Sequence, residues 1–154
     1  MAGSMQENFY NETGSDDSDR QLRDALEANG QRYTDQRAAV YRYLVQTDAH
    51  PTADDVFTTV RHDIPDISLA TVYKSLETLV GCGLAVKLTY GDGSARYDGR
   101  TDPHHHARCL VCGSVRDVPG HLDHTALRTF NAGPGFSVEG YRLELIGYCA
   151  SCQA

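Results

Sequence analysis

Two cysteine pairs constrain this chain more than any other feature. Cys109-Leu-Val-Cys112 and Cys149-Ala-Ser-Cys152 share the CxxC spacing and bracket residues 113–148. A CxxC turn presents two thiolates to one side, and four thiolates complete the tetrahedral shell of Zn²⁺. The same residues also fit two redox motifs or reduced thiols in a core. The zinc reading has a physical advantage. The segment 104–154 is a half-size domain, too small to be comfortable on apolar burial alone, and a metal joining its start to its end acts as a staple. The fifth cysteine, Cys82, stands alone and reads as structural.

The compartment agrees with metal rather than disulfide. No apolar run approaches the ~20 residues of a membrane span, and the first residues are polar and acidic, unlike a secretory leader. The expectation is a cytoplasmic protein with no membrane contact, where paired cysteines favour metal. The net charge of −7 argues against a nucleic-acid partner until its distribution is read. Residues 1–19 carry Glu7, Glu12, Asp16, Asp17 and Asp19 and no Lys or Arg, which leaves 14 basic against 16 acidic residues beyond them. We expect 1–19 to be a disordered acidic tail, and the near-neutral remainder to have room for a local basic face.

Periodicity divides that remainder. Leu22 and Leu26 place a helix over 20–28, stopped by Asn29-Gly30. Thr34 is a good N-cap for a helix carrying Val40, Tyr41 and Leu44. Thr52 with Asp55 resembles a capping box ahead of Val56, Phe57 and Val60. Ser68 caps a further helix whose stripe is Leu69, Val72, Leu76, Leu79 and Val80. Its other side presents Thr71, Lys74, Ser75 and Thr78, with Tyr73 beside them. LAVKLTY and ARYD flank a Gly-Asp-Gly-Ser turn and predict a hairpin. Several short helices and then a hairpin form a winged helix-turn-helix pattern, the last helix entering the DNA major groove. The predicted organisation is a winged-helix DNA-binding domain over 20–98, a linker over 99–103 and a metal-binding domain over 104–154. In the last we expect strands over 107–110, 114–119 and 141–148 and a helix over 121–131, an α+β arrangement.

Three consecutive histidines, His104, His105 and His106, open that second domain. On an extended strand His104 and His106 share a face and His105 points the other way. His104 and His106 are therefore candidates to share a divalent ion. Candidate further ligands are Asp98 at the end of the hairpin, His50 between two helices, and Asp117 after Cys112. A mixed imidazole/carboxylate set suits Fe²⁺, Mn²⁺ or Zn²⁺. Adventitious binding to an exposed His-rich strand is the plainer alternative. His121 and His124 read as surface residues.

At this point the motifs RYTDQR, AHPTADDVF, SLATVYKSLETL, GDGSARYD, HHHARCLVCG and the terminal CASC can be read together. From about residue 20 to its end the chain resembles the Fur family of metal-dependent bacterial transcription repressors, and within it the peroxide-sensing, PerR-type branch. The resemblance implies a homodimer, each subunit having an N-terminal winged helix and a C-terminal α/β dimerisation domain. It implies structural Zn²⁺ on Cys109, Cys112, Cys149 and Cys152. It also implies a regulatory Fe²⁺ or Mn²⁺ on His50, Asp98, His104, His106 and Asp117. Asp rather than Glu at 117 leans towards peroxide sensing, in which iron chemistry oxidises His50 or His104 and the repressor leaves DNA. The alternative within the family is an iron- or zinc-availability sensor. The segment SVEGYRLELIGYC contains no His, which makes a further family metal site doubtful here. Lys74 stands where peroxide sensors can have Asn and iron sensors Arg, so operator preference stays open.

The expected partner is double-stranded DNA with a roughly palindromic operator, matched to a dimer. Arg23, Arg32 and Arg37 are candidates for phosphate contacts, and Thr71, Tyr73 and Lys74 for the groove. The competing use of each Arg is an ion pair with a nearby acid. An enzyme is not expected. A metallo-hydrolase would need an open metal position and a placed base, and the chain has no HExxH.

Overall fold

The computed structural model describes residues 9–91 and 93–153. The chain divides between Thr101 and Asp102 into two compact units.

The first unit contains α1 (Phe9–Ala28), α2 (Asp35–Gln46), α3 (Ala53–Val60) and α4 (Leu69–Gly81), then the strands β1 (Val86–Leu88) and β2 (Arg96–Asp98). The three expected caps are present. Thr34 accepts from the Arg37 N–H, Ser68 from the Thr71 N–H, and Thr52 with Asp55 forms a full capping box. Each cap satisfies helix N–H groups that would otherwise lack partners. The helices close on one core of Leu22, Leu26, Val40, Leu44, Val56, Val72, Leu76 and Leu79, all at 0–1% exposure. Strands β1 and β2 pair antiparallel, Lys87 opposite Tyr97, and make the wing. The order of helices and wing is the winged helix-turn-helix.

Two expectations change here. Residues 9–19, expected to be disordered, are helical: α1 begins at Phe9. The i,i+4 pairs Arg20–Asp16 and Arg23–Asp19 support that extension, and Tyr33 anchors it by donating to Asp19 at 2.7 Å. Residues 1–8 of the expected tail lie outside the described residues. Ser75, expected on the exposed side of α4, is 2% exposed. Helix α4 packs against both α2 and α3, so its buried arc is wider than one stripe.

The second unit is a three-stranded sheet in the order β4-β3-β5, with β3 (His105–Cys109) antiparallel to β4 (Val115–Val118) and parallel to β5 (Glu144–Gly147). The helix expected over 121–131 shrinks to one turn, α5 (His124–Leu127), capped by Asp123. Every described residue from 128 to 142 is exposed, so a longer helix would have no apolar surface to pack on. Among the described residues of this unit only Cys109 and Val115 are buried. Its architecture is α+β with hardly any core. Among the described residues no helix is long and apolar enough to cross a membrane.

Candidate metal centres

The four paired cysteines converge. Cys109 closes β3 and Cys112 follows in a turn whose Gly113 N–H donates to the Cys109 carbonyl at 3.0 Å. Gly113 has a φ of 73°, the left-handed conformation that such a turn demands and glycine supplies without strain. The second pair forms a similar turn after β5, with the Cys152 N–H on the Cys149 carbonyl at 2.9 Å. The parallel pairing of β3 with β5 sets Cys109 beside Gly147 and so brings the two turns together. All four sulfurs lie within 4.8 Å of one another, and Cys112 Sγ is 3.7 Å from Cys149 Sγ. Zn–S bonds of about 2.3 Å in a tetrahedron require sulfurs about 3.8 Å apart.

The thiols do not titrate alike. N–H groups of Cys149 and Cys112 aimed at Cys109 bring its thiol down to about 6, and the Ser114 hydroxyl lowers Cys112. Cys152, hydrogen-bonded to Cys149 and crowded by the other thiols, is pushed up to about 12. The thiolate is favoured at Cys109 and Cys112 and resisted at Cys152, so a full set does not form easily. A divalent cation would remove that conflict, because its charge offsets the mutual repulsion of the thiolates. The residues present therefore fit zinc.

The candidate regulatory residues fall in both units, and each group has a definite local geometry. In the second unit His104 Nε2 lies 3.0 Å and His106 Nε2 3.3 Å from the same atom, Asp117 Oδ1. Strand register explains this, since His106 pairs directly with Asp117. The two imidazoles are tilted at 60° with centroids 4.5 Å apart. His105 points to the other face and stacks on Tyr141 at 6.1 Å. His104 Nδ1 is 2.6 Å from the Asp102 carbonyl oxygen. With Nδ1–H donating there, a neutral ring turns its Nε2 lone pair towards a carboxylate. Two electron-rich atoms 3.0 Å apart need a proton or a metal ion between them. A histidine whose second nitrogen donates to a backbone carbonyl is also the usual arrangement of a metal ligand.

In the first unit His50 Nε2 is 3.3 Å from Asp98 Oδ2, and both residues are buried, at 3% and 6% exposure. The other Asp98 oxygen accepts the Arg100 N–H at 2.8 Å. His50 has a φ of 51°, unusual for a residue with a Cβ and a sign of stored strain. The wing holds it there. Arg96 Nη1 donates to the His50 carbonyl at 3.0 Å, and the Tyr97 N–H donates to the Pro51 carbonyl at 2.9 Å.

The candidate DNA-contacting residues divide into two groups. Tyr73 is 44% exposed and Lys74 is also exposed on α4, as a groove-reading helix requires. Thr71 is half-buried and its hydroxyl lies 2.9 Å from that of Ser68. Arg32 is exposed. Arg23 and Arg37 are engaged within the protein. Arg23 pairs with Asp19 at 2.8 Å and lies over the Tyr33 ring at 3.6 Å. Arg37 donates to the Arg32 carbonyl, to Gln31 and to Thr78 on α4. The Tyr33 hydroxyl and then Arg23 hold the Asp19 carboxyl below its usual range.

Sequence reasoning missed the parts played by Gly99, Glu77 and Tyr97 around these sites. Gly99 packs against the backbone of Leu44. Glu77 on α4 accepts from Lys87 of the wing at 2.8 Å and from the Tyr97 hydroxyl at 3.1 Å. No local spacing signals these contacts.

Comparison with known proteins gives a consistent result. The family model described as the Ferric uptake regulator family matches residues 28–146. The chain is 42% identical over 137 residues to the Peroxide operon regulator of Bacillus subtilis (strain 168), covering 86% of this chain and 93% of that protein. It is 37% identical over 129 residues to the Peroxide-responsive repressor PerR of Staphylococcus aureus (strain USA300), covering 84% and 87%. In fold it is similar to the solved ferric uptake regulator Fur of Helicobacter pylori, with a TM-score of 0.73 at 19% identity over 91% of this chain and 94% of that one.

Proposed function

The chain belongs to the ferric uptake regulator family, and from that membership we propose that it is a metal-dependent, DNA-binding transcriptional repressor that senses peroxide. The observation that carries the metal-dependent part is the convergence of His104 and His106 on one oxygen of Asp117. The relatives named for peroxide response supply the signal.

In this reading Cys109, Cys112, Cys149 and Cys152 hold a structural Zn²⁺. The regulatory Fe²⁺ or Mn²⁺ falls to His50, Asp98, His104, His106 and Asp117, the residues that the family resemblance assigns to it. Bound Fe²⁺ would supply the electrons that activate hydrogen peroxide for attack on a ligand imidazole, and Mn²⁺ would not. His104 is oriented for its part by its bond to the Asp102 carbonyl, and Asp117 aligns both imidazoles. His50 is held by the wing, so losing its lone pair to oxidation would be felt on the DNA-binding side. Tyr73 and Lys74 approach base edges, while Arg32, with Arg23 and Arg37 once released from their present partners, meets phosphate. The protein acts as a homodimer on a roughly palindromic operator in the cytoplasm. Support for the dimer comes from Ile146, Tyr148 and Leu145, exposed on or beside β5, an edge strand of its sheet.

The test compares DNA binding by samples loaded with Fe²⁺ or Mn²⁺, before and after low hydrogen peroxide, with mass spectrometry of the His50 and His104 peptides. Loss of binding with iron alone, with one oxygen added to either histidine, is the expected result. Retained binding and unmodified histidines would leave an iron- or zinc-availability sensor on the same fold.

A further inference from the structure

The wing is fastened at two ends, and one residue belongs to both. At one end β2 is stitched to the segment that carries His50. Arg96 pairs with Thr52 as an isolated bridge and bonds the His50 carbonyl, and the Tyr97 N–H bonds the Pro51 carbonyl. Asp98, the next residue along, lies against His50. At the other end the Tyr97 hydroxyl donates to Glu77 Oε1 at 3.1 Å, and Lys87 Nζ reaches the same oxygen at 2.8 Å. Glu77 lies on α4, one turn beyond Tyr73 and three residues beyond Lys74.

Packing does not account for the phenol. Tyr97 is 1% exposed and its ring fills the core, which a phenylalanine would do equally well. A buried hydroxyl has to find a partner or lose its hydration without return. The partner it has is a carboxylate on the recognition helix. Hydrogen bonds to charged acceptors are the stronger kind and fix direction as well as distance.

We propose that Tyr97 is a positioning residue that holds the recognition helix α4 in a set register to the His50–Asp98 pair, so that occupancy of that pair is read out at Tyr73 and Lys74. Tyr97 is not one of the candidate metal ligands, and at 1% exposure it is not placed to reach DNA. Its main chain follows the metal side and its hydroxyl follows the DNA side. The inference rests on the metal-dependent repressor reading above.

The experiment uses full-length wild type, Tyr97→Phe, Glu77→Ala and Glu77→Gln. The probe is a duplex selected from a random library by the Mn²⁺-loaded wild-type protein. DNA affinity is measured with and without added Mn²⁺, and the ratio is the coupling between the two sites. Tyr97→Phe and Glu77→Ala should each shrink that ratio about tenfold, the worth of one charge-assisted hydrogen bond. Glu77→Gln should keep it, because an amide oxygen still accepts from the phenol. A variant that is merely destabilised loses affinity equally with and without Mn²⁺, and that pattern would overturn the proposal. So would a small Glu77→Gln ratio beside an unchanged Tyr97→Phe ratio, which would assign the effect to the Lys87 ion pair. Hydrogen exchange of wild-type α4 amides keeps the test open if the variants fail to fold. Mn²⁺ should slow that exchange, and unchanged rates count against the inference. A wild type with no Mn²⁺ dependence at all would instead sink the repressor reading itself.

Discussion

Replacing Gly99 with alanine tests whether the first unit is closely packed beside the His50–Asp98 pair. A Cβ at 99 would lie 2.6 Å from the Leu44 carbonyl oxygen, 2.8 Å from its carbonyl carbon and 3.2 Å from its Cβ. Ordinary contact between such atoms is nearer 3.5 Å, so about 0.5–1 Å has to be recovered. The two closest atoms are helix backbone, and Leu44 is 1% exposed in the core, so the neighbour cannot rotate away. Overpacking of this kind costs about 1–3 kcal/mol. At roughly 4–8 °C per kcal/mol for a unit of this size, the melting temperature of the helical signal should fall by at least about 4 °C. Asp98 is the adjacent residue, so Mn²⁺ affinity should weaken as well. Gly81→Ala is the control. Nothing lies within 4 Å of its Cβ position at the end of α4, and alanine there should be neutral or stabilising by up to about 1 kcal/mol. Circular dichroism melts of the two variants decide the matter. A Gly99→Ala protein melting within about 2 °C of wild type, with Mn²⁺ affinity intact, would refute the close-packing argument.

Two further outcomes follow from the same geometry. On the zinc assignment proposed above, stripping the metal with a chelator, checked by elemental analysis, should abolish amide protection in β3, β4 and β5 while α2–α4 stay protected, because Cys109 and Val115 alone are buried among the described residues of the second unit; a protected, zinc-free sheet would contradict this. Burial first, and then the bond to Glu77, raise the Tyr97 phenol above its ordinary value of 10.0. The stability gained from the neutral phenol is therefore complete below about pH 10 and is lost as pH rises beyond it, where the unfolded chain ionises first. Denaturant midpoints should fall more steeply between about pH 9 and about pH 11 in wild type than in Tyr97→Phe, and equal slopes would show that Tyr97 carries no such linkage.

What was legible in the sequence was local or chemically unambiguous. Thr34, Thr52 and Ser68 cap helices through atoms three residues away, so their signal is complete within one short window. The cysteine pairs are legible for a different reason: a tetrahedral thiolate site tolerates few arrangements, and the sulfurs do converge. The alternation of His104 and His106 follows from the two-residue period of a strand, and Asp117 faces both. The failures are where a pattern has more than one physical use. Residues 9–19 look like a solvated acidic tail, yet the same acids at i,i+4 from arginines support a helix. Residues 121–131 have helical spacing but no surface to pack on, and one turn survives. Ser75 looks solvent-facing when one stripe is counted and is buried because two helices cover α4.

Gly99 is the most consequential of these ambiguities. A glycine before a polar, proline-containing stretch reads as the start of a linker, and a glycine in close backbone contact looks the same in one dimension, because both uses require only that Cβ be absent. The distances to Leu44 decide for the second use. Asp98 is then no hinge residue. It is buried against His50, and the residue after it is wedged on α2. The His50–Asp98 pair is joined by short contacts to α2, to the wing and, through Tyr97 and Glu77, to α4. In the reading proposed above, a metal bound by that pair is linked to Tyr73 and Lys74 through this chain of contacts, from the wing to Glu77 on the same helix.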